Sequence, residues 1–182
     1  RLAPESPLPG AIADVMAVWR ALTAPSRQLI VVGESAGGGL AAAAVVRSRE
    51  LGLPRAAALV LISPMLDLTG RSDSHTTLRA ADPDYGHDPQ ILLGPGRAYA
   101  AGTPLNHPLL SPVYADLSEL PPTLVHVGGR EVLLGDAVRF VRAARQAGSS
   151  TALHVLDGGW HNTPLWYGVP EADAAIADIG AF

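Results

Sequence analysis

The sequence contains no cysteine and no lysine. Without cysteine there can be no disulfide framework, no thiolate zinc site and no cysteine nucleophile. All 13 basic residues are arginine, the formal net charge is −4, and no basic run suggests a nucleic-acid surface. We therefore expect a globular protein without a nucleic-acid partner, whose chemistry comes from hydroxyl, imidazole and carboxylate groups.

Long apolar runs are also missing. No segment approaches the ~18 consecutive apolar residues that a membrane-spanning helix needs, and no stretch resembles a signal peptide. These two absences predict no membrane span and a cytoplasmic location. The first residue is Arg1 and not methionine, so we expect that an upstream segment, with any targeting signal it held, is missing.

Short apolar runs alternate with longer segments of helical periodicity through most of the chain. This alternation predicts strands over 28–32, 57–62, 123–127 and 151–156, and helices over 11–22, 36–51, 133–146 and 171–182. The continuous apolar run 28–32 predicts a strand buried on both faces. Repeated strand–helix units indicate the α/β class, with one domain over 1–182 and a mostly parallel sheet covered by helices on both faces.

Residues 69–122 interrupt this alternation. The segment is rich in Gly, Pro, Asp and His and has no long periodic run. A connection of this length between two strands is typical of an insertion with functional content. We predict short helices within 72–101, in an insertion over about 69–110 that lies above the carboxyl-terminal edge of the sheet.

The strongest local motif is Gly33-Glu34-Ser35-Ala36-Gly37. A G-x-S-x-G sequence between a buried strand and a helix is typical of the nucleophile elbow of α/β-hydrolases, which predicts Ser35 as nucleophile. We expect the tight turn over 33–37 to exclude side chains at Gly33 and Gly37. The Ala36 N–H, at the start of the helix, could donate to an oxyanion. The alternative is that Ser35 is only a helix N-cap in a glycine-rich turn.

A serine nucleophile needs a general base, which in α/β-hydrolases follows the acid in the chain. Of the six histidines, His161 lies after the last predicted strand, in a loop over 157–163 at the edge where strand ends meet. This position predicts His161 as the base. His126 and His154 fall inside predicted strands, where we expect satisfied core or sheet-surface imidazoles.

The acid is expected in the loop over 128–136, after the third predicted strand. Glu131 lies in the part of this loop that can reach the active edge, and we predict it as the acid. Asp136 falls about one turn into the next helix, where an acidic residue commonly complements the helix dipole. It is the alternative acid.

These motifs, with other segments, resemble the bacterial hormone-sensitive-lipase-like esterases, also called family IV carboxylesterases or the α/β-hydrolase fold-3 group. Arg1-Leu2-Ala3-Pro4-Glu5 resembles the family's R-L-A-P-E, and Gly33-Glu34-Ser35-Ala36-Gly37-Gly38 resembles its G-[DE]-S-A-G-G. Further family landmarks are Ser63-Pro64, Asp67-Leu68, Ser111-Pro112, Leu120-Pro121-Pro122, Gly128-Gly129-Arg130-Glu131-Val132-Leu133 and Trp160-His161.

The resemblance implies a triad of Ser35, Glu131 and His161, with Ala36 supplying one oxyanion N–H. It also implies hydrolysis of small-molecule esters with short- to medium-chain acyl groups, through an acyl-enzyme intermediate. Members of the family use no cofactor and no metal, and many form homodimers through the edge of the sheet.

The sequence departs from the family in one respect, because it contains no H-G-G-G oxyanion motif. The run Gly37-Gly38-Gly39 lies at the start of the predicted nucleophile helix and cannot replace it. We expect the chain to be the C-terminal part of an α/β-hydrolase fold with a partial helical cap. Such a fragment should be nearly inactive alone, since losing one oxyanion donor costs ~10²–10³ in rate. A bare apolar edge at 29–32 predicts poor solubility.

Three alternatives stay open at this point. The chain could belong to another serine hydrolase of the same fold, such as a lipase, thioesterase or peptidase. It could be a non-catalytic ligand-binding relative, as the plant gibberellin receptors are. The insertion could hold a metal, although the spacing of its residues matches no known ligand pattern; these residues are His75, His87, His107, Asp82, Asp84 and Asp88.

Overall fold

A computed structural model describes residues 1–23, 28–85, 88 and 90–182. Four parallel strands form one sheet in the order β1-β2-β3-β4. The elements in chain order are α1 Gly10–Leu22, β1 Ile30–Glu34, α2 Ser35–Glu50, β2 Ala58–Ile62, α3 Ser74–Thr77, α4 Gln90–Ala100, β3 Thr123–Gly128, α5 Leu134–Gln146, β4 Thr151–Leu156 and α6 Pro170–Ala181. The predicted α/β class and parallel sheet are confirmed.

One face of the sheet packs against α1, α2 and α5. Alternate strand residues such as Leu59, Leu61 and Val125 are buried in this core, as expected where successive side chains point to opposite faces. The alanine-rich centre of α2 is fully buried there. Small side chains allow this helix to lie close to the strands beneath it.

The first strand differs from its prediction. It begins at Ile30 and continues to Glu34, because hydrogen bonding with β2 extends through the pairs Gly33–Leu61 and Glu34–Ile62. The expectation of burial on both faces is wrong, since Ile30 and Val32 are more than half exposed. The reason is that β1 is an outer strand of the sheet, as the expected bare apolar edge implies, and no described element covers that face of it.

Residues 69–110 contain the short helix α3 and the longer helix α4. This segment contacts the loop that follows β3: the Arg130 guanidinium donates to the Ala81 carbonyl, and the Val132 N–H donates to Asp82. It also reaches the loop after β4, where the Tyr85 ring meets the His161 ring edge-on at 4.8 Å. The segment therefore lies at the carboxyl-terminal edge of the sheet.

Candidate active site

The connection from β1 to α2 is a sharp turn centred on Ser35. This residue has a positive φ of 50°, a conformation that costs energy in any residue except glycine and is concentrated at functional sites. Gly33 permits the turn, because a Cβ there would lie 2.6 Å from the Cβ of Ala41. Glu34 is the N-cap residue of α2, and Ser35 is the first residue of that helix. Ser35 is therefore not the N-cap residue that the alternative interpretation expects.

The expectation that the turn also excludes a side chain at Gly37 is wrong. A Cβ built on Gly37 meets no described atom within 4 Å. Gly37 lines an open cavity and does not face the strand. The two glycines of the motif therefore differ, since only Gly33 is required by local packing among the described residues.

Three side chains from three different loops form one line of hydrogen bonds. The Ser35 Oγ lies 3.0 Å from the Nε2 of His161, and the Nδ1 of His161 lies 2.8 Å from the Oε2 of Glu131. Glu131 is fully buried and His161 is 4% exposed. The order hydroxyl, imidazole, carboxylate is the order that an activated serine requires.

The second oxygen of Glu131 is also held. Its Oε1 accepts hydrogen bonds from the Ser63 hydroxyl at 2.8 Å and from the Gly128 N–H at 2.7 Å. Together with His161, these donors satisfy both oxygens of a carboxylate that is removed from water, which buried charges require. The carboxylate is therefore fixed in position and in orientation.

Backbone contacts join the loop after β3 to the loop after β4. The Gly129 N–H donates to the Leu156 carbonyl and the Arg130 N–H donates to the Gly159 carbonyl, both at 2.9 Å. Gly128 allows this approach, since a Cβ there would lie 2.6 Å from the Gly159 oxygen. Glu131 and His161 are thus carried on loops that are joined directly by hydrogen bonds.

Asn162 anchors the other side of the imidazole loop. Its backbone has a positive φ of 56°, its N–H donates to the Ser63 Oγ at 2.9 Å, and its side-chain amide donates to Glu34 at 2.6 Å. Ser63, also at positive φ, therefore bonds both to the Glu131 carboxylate and to the loop that carries His161. All four strand ends contribute to this edge of the sheet.

An apolar cavity of about 480 Å³ opens beside the turn. Ala36 and Gly37 form part of its wall, and the rest of the wall includes residues of α4, residues 109–110 and the N-terminal residues 2–3. Ala36 is the second residue of α2, where helix N–H groups have no acceptor within the helix. The Ala36 N–H therefore lacks an acceptor within the helix, next to Ser35 in the wall of an apolar space.

The structure does not bring Asp136 to His161. Asp136 is fully buried in the first turn of α5, where its carboxylate accepts a hydrogen bond from Ser72 and lies 3.4 Å from the Nε2 of His75. This carboxylate raises the pKa of His75 above its ordinary value. Of the two acids that the sequence offers, Glu131 is the one in contact with the imidazole of His161.

Comparison with known proteins assigns the chain to a family. A family model for the alpha/beta hydrolase fold matches residues 1–165. The chain belongs to this family. It is 40% identical over 194 residues to an acetyl-hydrolase of Streptomyces hygroscopicus, covering 100% of this chain and 62% of that protein. It is 36% identical over 197 residues to an esterase of Acinetobacter venetianus, covering 100% of this chain and 61% of the relative.

Solved α/β-hydrolase structures superpose closely on the chain. The crystal structure of an esterase from the bacterial hormone-sensitive lipase family matches with a TM-score of 0.91 at 40% identity. The esterase EstE5, soaked with p-nitrophenyl butyrate, matches with a TM-score of 0.94 at 38% identity. Each match covers 100% of this chain and 62% of the other. The resemblance to hormone-sensitive-lipase-like esterases is therefore confirmed, and the chain spans about three fifths of these relatives' length.

The residues weighed as a metal site in the insertion do not converge where the structure describes them. His75 faces Asp136, the His107 Nδ1 accepts the Leu109 N–H, and Asp82 accepts backbone N–H groups of residues 84, 85 and 132. His87 lies outside the described residues. Within the described part of the chain, no helix is long and apolar enough to cross a bilayer.

Sequence reasoning missed two residues of this α/β-hydrolase site. In the sequence Ser63 belongs to a Ser-Pro family landmark and directly follows a predicted strand at the carboxyl edge of the sheet. Asn162 follows His161 immediately, and asparagine is among the few residues that tolerate a left-handed backbone. Both signals were present in the sequence, but the contacts themselves join loops far apart in the chain.

Proposed function

We propose that this chain carries the nucleophile, base and acid of a serine carboxylesterase that hydrolyses short- to medium-chain acyl esters. The observation that carries the proposal is the line of contacts from the Ser35 Oγ to the His161 Nε2, and from the His161 Nδ1 to Glu131, at 3.0 and 2.8 Å. The names of the relatives, an acetyl-hydrolase and several esterases, support the same reaction class.

In the proposed cycle, the His161 Nε2 takes the proton of Ser35 as the Ser35 Oγ attacks the ester carbonyl. The carbonyl oxygen becomes an oxyanion, to which the Ala36 N–H donates. The imidazolium then gives its proton to the leaving alcohol, and an acyl-enzyme remains on Ser35. His161 then takes a proton from water as the water attacks this ester, and the imidazolium returns that proton to the Ser35 Oγ as the carboxylic acid leaves.

Glu131 acts on His161 and not on the substrate. Its Oε2 accepts the Nδ1–H of the imidazole, which keeps Nε2 unprotonated in the resting state and stabilises the imidazolium when it forms. Its Oε1 is already occupied by the donors from Ser63 and Gly128. The carboxylate is therefore held ready to accept the imidazole N–H without rearrangement.

The apolar cavity beside Ala36 supports a substrate with an apolar group. Its wall contains Met65, Leu92 and Leu110, and its volume of about 480 Å³ is within the usual range for small-molecule sites. A short or medium acyl chain is of the right size and polarity for it. A homodimer through the sheet edge remains a prediction of the family resemblance, and a cytoplasmic location remains a prediction of the sequence.

A substrate panel on the full-length protein tests the proposal. We expect p-nitrophenyl esters of C2 to C8 acids to be hydrolysed much faster than the matched anilides, with a maximum at a short or medium chain. Ser35→Ala should remove the turnover. Preference for long-chain esters, thioesters or amides would assign the site to another hydrolase class, and no turnover of any of them would favour a binding protein.

A further inference from the structure

Two histidines and one aspartate meet on the face of the sheet opposite the main core. His126 of β3 and His154 of β4 are direct register partners, so their side chains leave the same face of the sheet. Asp178 of α6 lies over them, with its Oδ2 3.0 Å from the Nδ1 of His154. Each of the three residues offers one ligand atom, and these atoms all lie within 4.8 Å of one another.

His126 is the unusual member of this group. It is 1% exposed, and neither of its ring nitrogens has a hydrogen-bond partner among the described residues. A neutral imidazole has one donor and one acceptor, and buried polar atoms of this kind are normally satisfied. The expectation of a satisfied core imidazole is therefore not met at this position.

The position of His126 suits a ligand, because its ring lies beside that of His154 and imidazole nitrogens are common metal ligands. The two rings meet edge-on with centroids 4.9 Å apart.

The other two ligands are free to adjust. The side chains of His154 and Asp178 are 44% and 57% exposed. A tetrahedral zinc ion with bonds of ~2.0–2.2 Å places its ligand atoms about 3.4 Å apart. Ligand atoms that lie up to 4.8 Å apart must approach by up to about 1.4 Å to reach that spacing. His154 and Asp178 are exposed enough for their side chains to rotate.

We propose that His126, His154 and Asp178 bind a divalent transition-metal ion such as Zn²⁺. Two imidazoles and a carboxylate are ligands that zinc accepts, and three protein ligands leave one position for water. The ion would join α6 to β3 and β4. Helix α6 packs against the turn Thr163–Leu165, which follows His161. The bound ion would therefore also stabilise the loop that carries His161. The proposal does not rest on the proposed esterase activity.

The test uses the full-length protein, prepared without a histidine tag and stripped of metal with a chelator. Zn²⁺ is titrated in competition with a chromogenic chelator, and Co²⁺ is titrated separately while its visible absorption is recorded. We expect a bound ion that both Asp178→Ala and His154→Gln weaken by about tenfold or more, since even outer-sphere changes cost ~10–100-fold. Zn²⁺ at a hundredfold excess over its dissociation constant should raise Tm by about 5–10 °C.

Asp173→Ala is the matched control, because it removes an exposed carboxylate from the same helix with the same change of charge. It should bind Zn²⁺ as the parent protein does. Asp178 and His154 are exposed enough that their variants should fold, and His126→Gln completes the series. Absence of binding, or binding that Asp178→Ala and His154→Gln leave unchanged, would overturn the proposal.

Discussion

Replacing Glu131 with glutamine probes the proposed triad at its most constrained point. The Oε1 position receives hydrogen bonds from the Ser63 hydroxyl and the Gly128 N–H. The backbone N–H can only donate, and the Ser63 Oγ already accepts the Asn162 N–H. The amide oxygen must therefore occupy that position, which turns the amide NH₂ group toward the Nδ1 of His161.

This orientation imposes the wrong tautomer on the imidazole. With an amide N–H donating to it, Nδ1 has to be the acceptor, so the ring proton moves to Nε2 and faces Ser35. Nε2 then cannot accept the serine proton. The equivalent carboxylate-to-amide change in a serine protease lowers kcat roughly 10⁴-fold, which corresponds to about 5 kcal/mol of transition-state stabilisation.

The assay is the steady-state hydrolysis of p-nitrophenyl butyrate by the full-length protein, with Tm measured for each variant. We expect Glu131→Gln to lose about 10⁴ in kcat with a small change in KM. Asp136→Asn, a change of another buried carboxylate, is the comparison and should keep kcat within about tenfold, because Asp136 contacts Ser72 and His75. A Glu131→Gln variant that keeps most of the parent kcat, or an Asp136→Asn variant that loses it, would refute this assignment.

Other substitutions give further tests. Ser63→Ala removes one donor to the buried Glu131 carboxylate and should lower kcat by about 10–100-fold, since a hydrogen bond to a charged group contributes ~1.5–3 kcal/mol. An unchanged kcat would show that the Ser63 hydroxyl does not position the Glu131 carboxylate. Gly33→Ala should destabilise the protein by about 1–3 kcal/mol through overpacking, whereas Gly37→Ala should leave its stability unchanged or raise it slightly. Equal losses of Tm in the two variants would contradict the difference in packing between the two glycines. Arg139→Met leaves the buried Asp67 carboxylate without its cation; we expect a loss of about 2–3 kcal/mol in urea unfolding, below the ~3–5 of fully buried pairs because Arg139 is partly exposed.

The Arg139 prediction also has a pH dependence. Burial alone would raise the pKa of Asp67, but hydrogen bonds from Thr69 and Arg139 outweigh it and hold this pKa below its ordinary value of 3.8. A lowered native pKa contributes stability that is complete above the unfolded value and is lost as pH falls through the native value. The difference in free energy of unfolding between the parent protein and Arg139→Met should therefore be constant near neutral pH and should become smaller below about pH 4. A difference in unfolding free energy that grows as the pH falls would contradict an ion pair between Asp67 and Arg139.

The parts of the site that lie in local motifs could be predicted from the sequence. Ser35, Glu131 and His161 each follow a strand, and the carboxyl ends of parallel strands meet at one edge. Only the burial of β1 on both faces was misjudged, because burial depends on the elements beside a strand; the separate expectation of a bare apolar edge at this strand agrees with its outer position. A run of apolar residues indicates a strand but does not say whether that strand is central or outermost.

Contacts between distant loops could not be predicted in the same way. The bonds of Ser63 to Glu131 and to Asn162 depend on the register of three strands and on two residues at positive φ. The pairing of His126 with His154 was easier to predict, since each is the fourth residue of a strand that begins with threonine. What places Asp178 over them is the packing of α6, which has no local signature.

The most direct measurement is covalent labelling of the full-length protein by a fluorophosphonate, with the modified residue located by peptide mass spectrometry. Only a serine hydroxyl activated by a neighbouring base reacts quickly with such a reagent. The proposed triad predicts one label per chain, on Ser35, and a labelling rate that falls by orders of magnitude in His161→Ala. Labelling of a different serine, or a rate on Ser35 that is unaffected by the loss of His161, would contradict the account.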